Sequence, residues 1–411
     1  MPKFDVAVVG TGLGGLAAAA VLSKKKKTIV FERNDSATKT VGMVEKDGFM
    51  FFAAPAISYG FEKGGAFDSI ITNLGIEKNV QEQISCFQVA LPDRRITVYP
   101  DQNSTLNELR REFPKEINAL IKFYRDIHKA AAKNAKSRLS SYLSKHRTTA
   151  GFIRKYRFSR ELMSFFNVQS LFYFQRPVED LQFSSFITLC TSFPFRHKEG
   201  GWDLAEQMYR VIHQHAGEVS GFDASCELVV KGKRAIGIKT AHAFVETSTI
   251  LLNGEPPQHP TTLLIALREE VVPVGMCRDV ICLPDYARPH VFFTLSLSNS
   301  QDTVAPRDMR TLSASFWPYE NVPVDSQALV GQISKIMPFL NNHVIFVEVH
   351  RTEDKEIMVP SDMPFKPLRS ADTTALLFQG AHKKNLYRLN NIVQTPLQAL
   401  SASQQLVKKI S

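Results

Sequence analysis

Little in this sequence points to cross-links, bound metals or a membrane span. Its five cysteines include no C-x-x-C pair, which argues against a disulfide framework or a cysteine-built zinc site. Cys86, Cys190, Cys226, Cys277 and Cys282 are therefore expected to be reduced core thiols of a cytoplasmic protein. No apolar run reaches the roughly eighteen residues that a spanning helix needs. The chain enters its first strand pattern directly, so no signal peptide is expected. His213 and His215 fall at i and i+2 of a helical stretch, hence on different faces, and no metal site is expected. Tryptophan is scarce, at two residues, whereas phenylalanine reaches 29.

The 411 residues suffice for two domains, and the net charge of +10 is unevenly spread. Between Arg110 and Arg160 stand fifteen Lys and Arg residues against three acids, with apolar residues interleaved at helical spacing. Two readings stay open for the 110–160 stretch: a solvated helix face, or attraction to an anionic membrane surface. Nucleic acid is not expected as a partner, because no recognition motif accompanies the charge. Many phenylalanines fall within Met163–Phe195, where they fit either a packed core or a tunnel for a long apolar ligand.

The stretch that carries chemistry is DVAVVGTGLGGLAAAAVLSKKKKTIVFER, Asp5 to Arg33. An apolar run, Val6–Val9, meets Gly10, Gly12 and Gly15 in G-x-G-x-x-G spacing. An alanine-rich helix follows, then a second apolar strand ending in Glu32. Glycines alone would be a weak signal; strand, helix and terminal acid together make a dinucleotide-binding βαβ unit. Gly10 permits the tight turn, Gly12 lets a pyrophosphate approach bare backbone, and Gly15 allows close packing of helix on strand. The helix beginning near Leu13 presents N–H groups and the positive end of its dipole to the phosphates. Glu32 is placed to accept from ribose hydroxyls and disfavours a 2′-phosphate, so FAD or NAD is expected over NADP.

Further along, a helix is expected from Phe67 and a hairpin in CFQVALPDRRITVYP around Pro92 and Asp93. Helical periodicity runs through Asn103–Ser144 with a break near Pro114. After Gly200–Gly201–Trp202 come a helix over Leu204–His215 and strands at Glu218–Phe222, Glu227–Val230, Ala235–Thr240 and Phe244–Leu252. Strands follow at Val291–Leu297, Thr311–Trp317 and Val344–Val349, with a helix over Ser326–Met337. Met358–Leu368 is expected to be a loop. A strand at Ala375–Phe378 and a helix over Pro396–Ile410 close the chain. No internal repeat is present.

Taken with its opening motif, the chain resembles the FAD-dependent phytoene desaturase and carotenoid isomerase group within the amine-oxidase-like flavoproteins. FDVAVVGTGLGGLAAAAVLSKKKKTIVFER resembles the group's opening. LGIEKNV, ALPDRRITVYPD and LNELRREFPKEINAL resemble its early cap. EGGWDLAEQM, RAIGIKT and STILLNGEP resemble its middle FAD segment, and ALLFQG with TPLQALSASQQL its close. The resemblance implies an α/β fold. A Rossmann-type FAD-binding domain would be assembled from residues 1–75, 196–262 and 368–411, beside a mixed α+β substrate domain from 76–195 and 263–367. It implies FAD as cofactor, an apolar isoprenoid-like substrate and contact with a membrane surface. Cofactor contacts would fall on Gly10, Thr11, Gly12, Leu13, Gly14, Gly15, Glu32, Arg33, Gly42, Asn253 and Gly380.

Departures from the group's pattern gather on the flavin half. Its Gly-Gly-Arg turn is replaced by Thr40–Val41–Gly42–Met43, its aspartate and glycine before a proline by Phe52 and Ala54 before Pro55, and its Gly-Asp by Gly380–Ala381 followed by His382. Each lost charge-assisted hydrogen bond is worth about 1.5–3 kcal/mol. Ser58 with Tyr59, Trp317 with Tyr319, and His382 would border a flavin pocket in the group's layout; generic packing is the competing reading for each. No acid–base triad is legible, and a flavin enzyme of this kind does not require one. Three functions are therefore weighed. The leading one is an FAD-dependent oxidoreductase acting on carbon–carbon double bonds; the others are a non-redox prenyl or lipid carrier on the same scaffold, like the Rab-GDP dissociation inhibitors, and a flavin amine oxidase.

Overall fold

Neither VAVV nor TIVF alternates, and a strand that is apolar on both sides needs cover on both faces. The computed structural model supplies it. It describes residues 3–33, 43–52, 57–61, 63, 66–77, 81–136, 149–174, 176–222, 227–232, 234–254, 260–298, 304–317, 326–350, 365–367, 377–380 and 385–390. β1 (Lys3–Val9), α1 (Leu13–Ser23) and β2 (Thr28–Arg33) form the opening unit, with β1 and β2 parallel and Val9 opposite Phe31.

A nine-stranded sheet grows around this unit. Glu218–Phe222 lies parallel outside β2, and Phe244–Gly254 lies parallel on the other side of β1. Leu386–Asn390 follows, again parallel, and then Leu377–Gly380 and Phe365–Pro367 continue antiparallel. Val6 and Val8 face α1, the helix Trp202–Gln214 and the helix Ala66–Leu74. Ala7 and Val9 face the hairpin Glu227–Lys231/Arg234–Lys239. The four alanines Ala17–Ala20 are fully buried, so α1 is apolar all round because it is covered all round.

The second sheet has seven strands, in the order Val344–His350, Thr261–Arg268, Met309–Trp317, Phe292–Leu297, Asp279–Cys282, Phe87–Leu91 and Arg94–Val98. Leu91 pairs with Arg94 across the tight turn at Pro92–Asp93. Thr261–Arg268 and Asp279–Cys282 escape a periodicity reading. Each is buried along nearly its whole length, and a short apolar run without alternation carries no strand signature. Phe365–Pro367, within the loop expected from sequence and on its substrate side, instead hairpins with Leu377–Gly380 in the first sheet.

Helices Gln102–Glu112, Ile117–Lys136, Arg160–Phe174 and Phe183–Thr191 cover the second sheet at its Phe87 end. Asp101 caps the first, accepting from the backbone N–H of Ser104 at 2.8 Å, and Pro114 starts the short turn that separates it from the second. Phe165, Phe166, Phe172, Phe183 and Phe186 pack with Phe123 in one apolar cluster. Ring centroids there stand 4.8–6.2 Å apart, as between Phe152 and Phe183 or Phe166 and Phe186. The phenylalanine density is thus a packed core. Among the described residues, no helix is long and apolar enough to cross a membrane.

Candidate functional site

The glycine loop closes on Asn253. Gly10 has φ +95° and donates its N–H to the Phe31 carbonyl at 2.9 Å. A Cβ on Gly10 would lie 3.0 Å from the Asn253 carbonyl oxygen. On Gly15 it would lie 2.6 Å from the Gly10 carbonyl and 2.8 Å from the Asn253 side chain. Backbone, helix and Asn253 therefore meet with no room for a methyl group. Gly12 precedes α1 in extended conformation, and no side chain caps the helix. The first-turn N–H groups, which no helical carbonyl can reach, stay available to an anion.

Asn253 sits at the end of the strand beside β1, where Val9 pairs with Leu252. Its Oδ1 is buried with no hydrogen-bond partner among the described residues. A buried orphan acceptor is costly, and a hydroxyl or amine of a bound molecule would satisfy it.

Glu32, one residue before the end of β2, receives a hydrogen bond from the Tyr209 hydroxyl, 3.0 Å to Oε1. Tyr209 lies on the helix Trp202–Gln214 and also exchanges a hydrogen bond with Thr11; burial and the Glu32 charge hold its hydroxyl firmly protonated. One carboxylate has about four lone-pair positions, more than the Tyr209 hydroxyl alone takes up. Sequence reading missed Tyr209, which is 177 residues from its partner; its only local sign is membership of an amphipathic helix.

The remaining expected contacts are less concentrated. Leu13 and Gly14 begin α1, and Arg33 pairs with Phe222 at the end of β2. Gly380 is not brought to the loop. It lies two strands beyond Phe244–Gly254, in a strand antiparallel to Leu386–Asn390, because the strand next to Phe244–Gly254 is Leu386–Asn390. Gly42, Thr40, Val41, Ala54, Pro55, Tyr319, Ala381, His382 and the segment 396–410 lie outside the described residues, whereas Met43 and Phe52 pair in a hairpin. Trp317 is buried and stacks on Phe292.

A second polar cluster forms where Ile57–Ser58, Phe195–His197 and Gln81–Gln83 build a three-stranded sheet. Ser58 Oγ and His197 Nε2 are 2.6 Å apart, both buried. Burial pulls the His197 imidazole down to about 4, so it is neutral at physiological pH; its Nδ1 has no partner among the described residues. Neighbouring Arg196 pairs with Asp279, which also accepts from Ser296 Oγ at 2.9 Å. Next to Ser58, Tyr59 packs edge-on to Tyr173 at 4.6 Å and lines a cavity of about 160 Å³ with Tyr124, His128, Phe165, Gln169 and Phe193. That is close to the ~150 Å³ that holds one benzene.

Residues 8–70 match the family described as NAD(P)-binding Rossmann-like domain. This segment is a Rossmann-like nucleotide-binding unit. Its curated relatives point the same way. The chloroplastic prolycopene isomerase of Daucus carota is 30% identical over 132 residues, 31% of this chain and 22% of that protein. The 4,4'-diapophytoene desaturase of Staphylococcus aureus strain Newman is 29% identical over 132 residues, 30% of this chain and 25% of that protein. The match thus spans a quarter or less of these relatives' length. Solved structures extend the likeness to the whole fold. A Rab GDI from Plasmodium falciparum superposes with TM-score 0.64 at 12% identity, covering 100% of this chain and 97% of its own. An oxidoreductase from Methanosarcina mazei gives 0.64 at 14%, covering 98% and 100%. Wild-type putrescine oxidase bound to putrescine gives 0.59 at 14%, covering 99% of each. The Rossmann-like segment therefore sits in an α/β scaffold shared with a Rab GDI, an oxidoreductase and putrescine oxidase.

Proposed function

We propose that this protein is an FAD-dependent oxidoreductase acting on a carbon–carbon double bond of an apolar, isoprenoid-like molecule, by desaturation, saturation or isomerisation. The observation that carries the reading is the cradle of Gly10, Gly15 and the unpartnered Asn253 Oδ1 beside the N-terminus of α1. The donor set fits the adenosine diphosphate half of the cofactor: helix N–H groups for the pyrophosphate, Glu32 for the ribose, and Asn253 for a hydroxyl. When bound, the flavin would accept or return hydride. The chain's own part is to bind, orient and exclude water. The cavity beside Tyr59 is sized for one end of an apolar molecule, and the neutral His197 with Ser58 forms a buried pair able to hold a proton between Oγ and Nε2. The basic face of the helix Ile117–Lys136 is proposed to meet an anionic membrane surface, from which such a substrate would enter.

The competing reading, a non-redox carrier of a prenyl or other lipid, is favoured by the replaced polar positions at 40–43, 52–55 and 380–382. One experiment separates the two. The purified protein is denatured and its extract analysed by absorbance and mass spectrometry. Released FAD, or a yellow complex formed on adding FAD, is expected; a lipid without flavin, and no uptake of added FAD, would overturn the oxidoreductase reading. Direct assay with amines and oxygen tests the amine oxidase reading.

A further inference from the structure

Two of the cysteines expected to be separate core thiols face each other. Cys86 immediately precedes the strand Phe87–Leu91, and Cys277 lies two residues before Asp279–Cys282. These strands are parallel neighbours in the seven-stranded sheet, with Val280 opposite Gln88, so the two thiols come together at the same end of the pair. Their sulfurs are 2.8 Å apart across 191 residues of sequence. Gln88 holds the loop that carries Cys277. Its Nε2 donates to the Gly275 carbonyl at 3.1 Å, and its Oε1 accepts from the Cys277 N–H at 3.1 Å. The backbone that carries Cys277 is thereby held beside the strand that follows Cys86.

Access and chemistry differ between these thiols and the other two described ones, Cys190 and Cys282; Cys226 lies outside the described residues. Cys86 is half-buried and flanked by the exposed Ser85, while Gly275 is exposed two residues before Cys277. The hydrogen bond shared with Cys277 pulls the Cys86 thiol down, and the same bond with burial pushes Cys277 up. Cys86, the more accessible of the two, is thus the more acidic thiol, and either sulfur can donate in the bond they share. Burial alone raises Cys190 and Cys282, which makes them poor nucleophiles.

We propose that Cys86 and Cys277 are a reversible thiol-oxidation site that closes to a disulfide under peroxide. The Cys86 thiolate attacks one peroxide oxygen; the O–O bond breaks, and the departing hydroxide becomes water. Cys86 is then a sulfenic acid. The Cys277 sulfur attacks the Cys86 sulfur, the S–O bond breaks, and hydroxide leaves as water with the Cys277 proton. Two thiols and one hydrogen peroxide give one disulfide and two waters, with two electrons passing from sulfur to oxygen. A small-molecule dithiol reverses the step. The bond would tie the 87–91 and 279–282 strands together within two residues of Asp279, whose partner Arg196 adjoins the Ser58–His197 pair. Closing a long loop restricts the unfolded chain, so the oxidised protein resists heat better than the reduced one.

The test uses the whole protein and is independent of flavin binding. Reduced, desalted protein is titrated with hydrogen peroxide, remaining thiols are blocked with N-ethylmaleimide, and a non-reduced digest is mapped by mass spectrometry. Expected is a cross-linked peptide pair carrying Cys86 and Cys277 that accumulates before Cys190 or Cys282 is modified and vanishes with dithiothreitol. Thermal unfolding should move upward on oxidation and return on reduction. In Cys277→Ser the cross-link is lost and Cys86 accumulates as sulfenic or sulfinic acid. If that variant does not fold, the wild-type map decides alone. Cys86 recovered as unpaired maleimide adduct after peroxide has oxidised a free thiol of similar acidity, or linked to a different cysteine, would overturn the proposal.

Discussion

Tyr209 donates to Glu32 across 3.0 Å, joining a helix of the middle segment to the acid one residue before the end of β2. With Thr11 as its second neighbour, Tyr209 holds the carboxylate at the mouth of the glycine loop. Removing the hydroxyl in Tyr209→Phe leaves the ring packing in place but takes this hydrogen bond from Glu32. A neutral-to-charged hydrogen bond of this kind is worth about 1.5–3 kcal/mol when made; only the orienting part of it should reach the ligand. FAD affinity measured by titration calorimetry is expected to fall several-fold. Unchanged affinity would show that the Tyr209 hydroxyl does not orient Glu32 for the ligand.

Gly15→Ala places a methyl against the Gly10 carbonyl and Asn253. Both obstacles are part of the cradle, and the carbonyl cannot rotate away. Overpacking of this sort costs about 1–3 kcal/mol. The variant should melt earlier than the parent and lose the stabilisation that FAD confers. Gly232 is the control: a Cβ there would meet no atom within 4 Å, but its φ is +57°. Gly232→Ala should therefore destabilise without touching the FAD response.

His197 sets a pH dependence. Its folded-state value is lowered to about 4 by burial, against an ordinary 6.5. The unfolded chain therefore takes up the proton first. The neutral imidazole contributes stability fully above about 6.5, and that contribution is lost as pH falls from there towards about 4. On the order of 3 kcal/mol is at stake. Urea midpoints measured across this window should fall with pH in the wild type and fall less in His197→Phe paired with Ser58→Ala. Equal slopes would assign the acid sensitivity to other groups.

The Arg196–Asp279 pair links the three-stranded sheet to the seven-stranded one, with both side chains at most 7% exposed. Asp279→Asn removes the charge and keeps the shape, leaving a buried guanidinium without its counter-ion. Breaking such a pair from one side costs about 3–5 kcal/mol. Chemical denaturation should show a loss of that size, and Asp279→Asn combined with Arg196→Met should recover part of it.

The exposed Lys122, Arg125, Lys129 and Lys133 share one face of the helix Ile117–Lys136, beside the partly exposed Ile121. Each cation near an anionic bilayer contributes about 1 kcal/mol. Co-sedimentation with vesicles containing phosphatidylserine should be measurable and salt-sensitive. Charge reversal in Lys122→Glu with Lys129→Glu should abolish it, and Lys→Arg at both positions should preserve it. Salt-insensitive binding, or none, would leave the face as a solvated helix surface.

What the sequence determined by itself was local. Glycine spacing, the apolar runs on either side and the terminal acid dictate a βαβ nucleotide unit, because each acts within about thirty residues of its partner in chain and space. The Pro92–Asp93 turn and the break at Pro114 are legible for the same reason: proline and turn residues constrain their own backbone. Asn253 was reachable only through a family resemblance, and the structure gave it a physical role beside Gly10 and Gly15. Only tertiary structure decided the rest. Thr261–Arg268 and Asp279–Cys282 are strands because neighbours cover both faces, a condition that leaves no alternation to read. The phenylalanines of the 163–195 region became a core with a benzene-sized cavity, since their partners come from Phe123 and Phe152. Tyr209 with Glu32, Ser58 with His197 and Cys86 with Cys277 meet across 177, 139 and 191 residues. Side-chain chemistry at such separations is set by which strands and helices lie side by side, and that is a property of the packed fold.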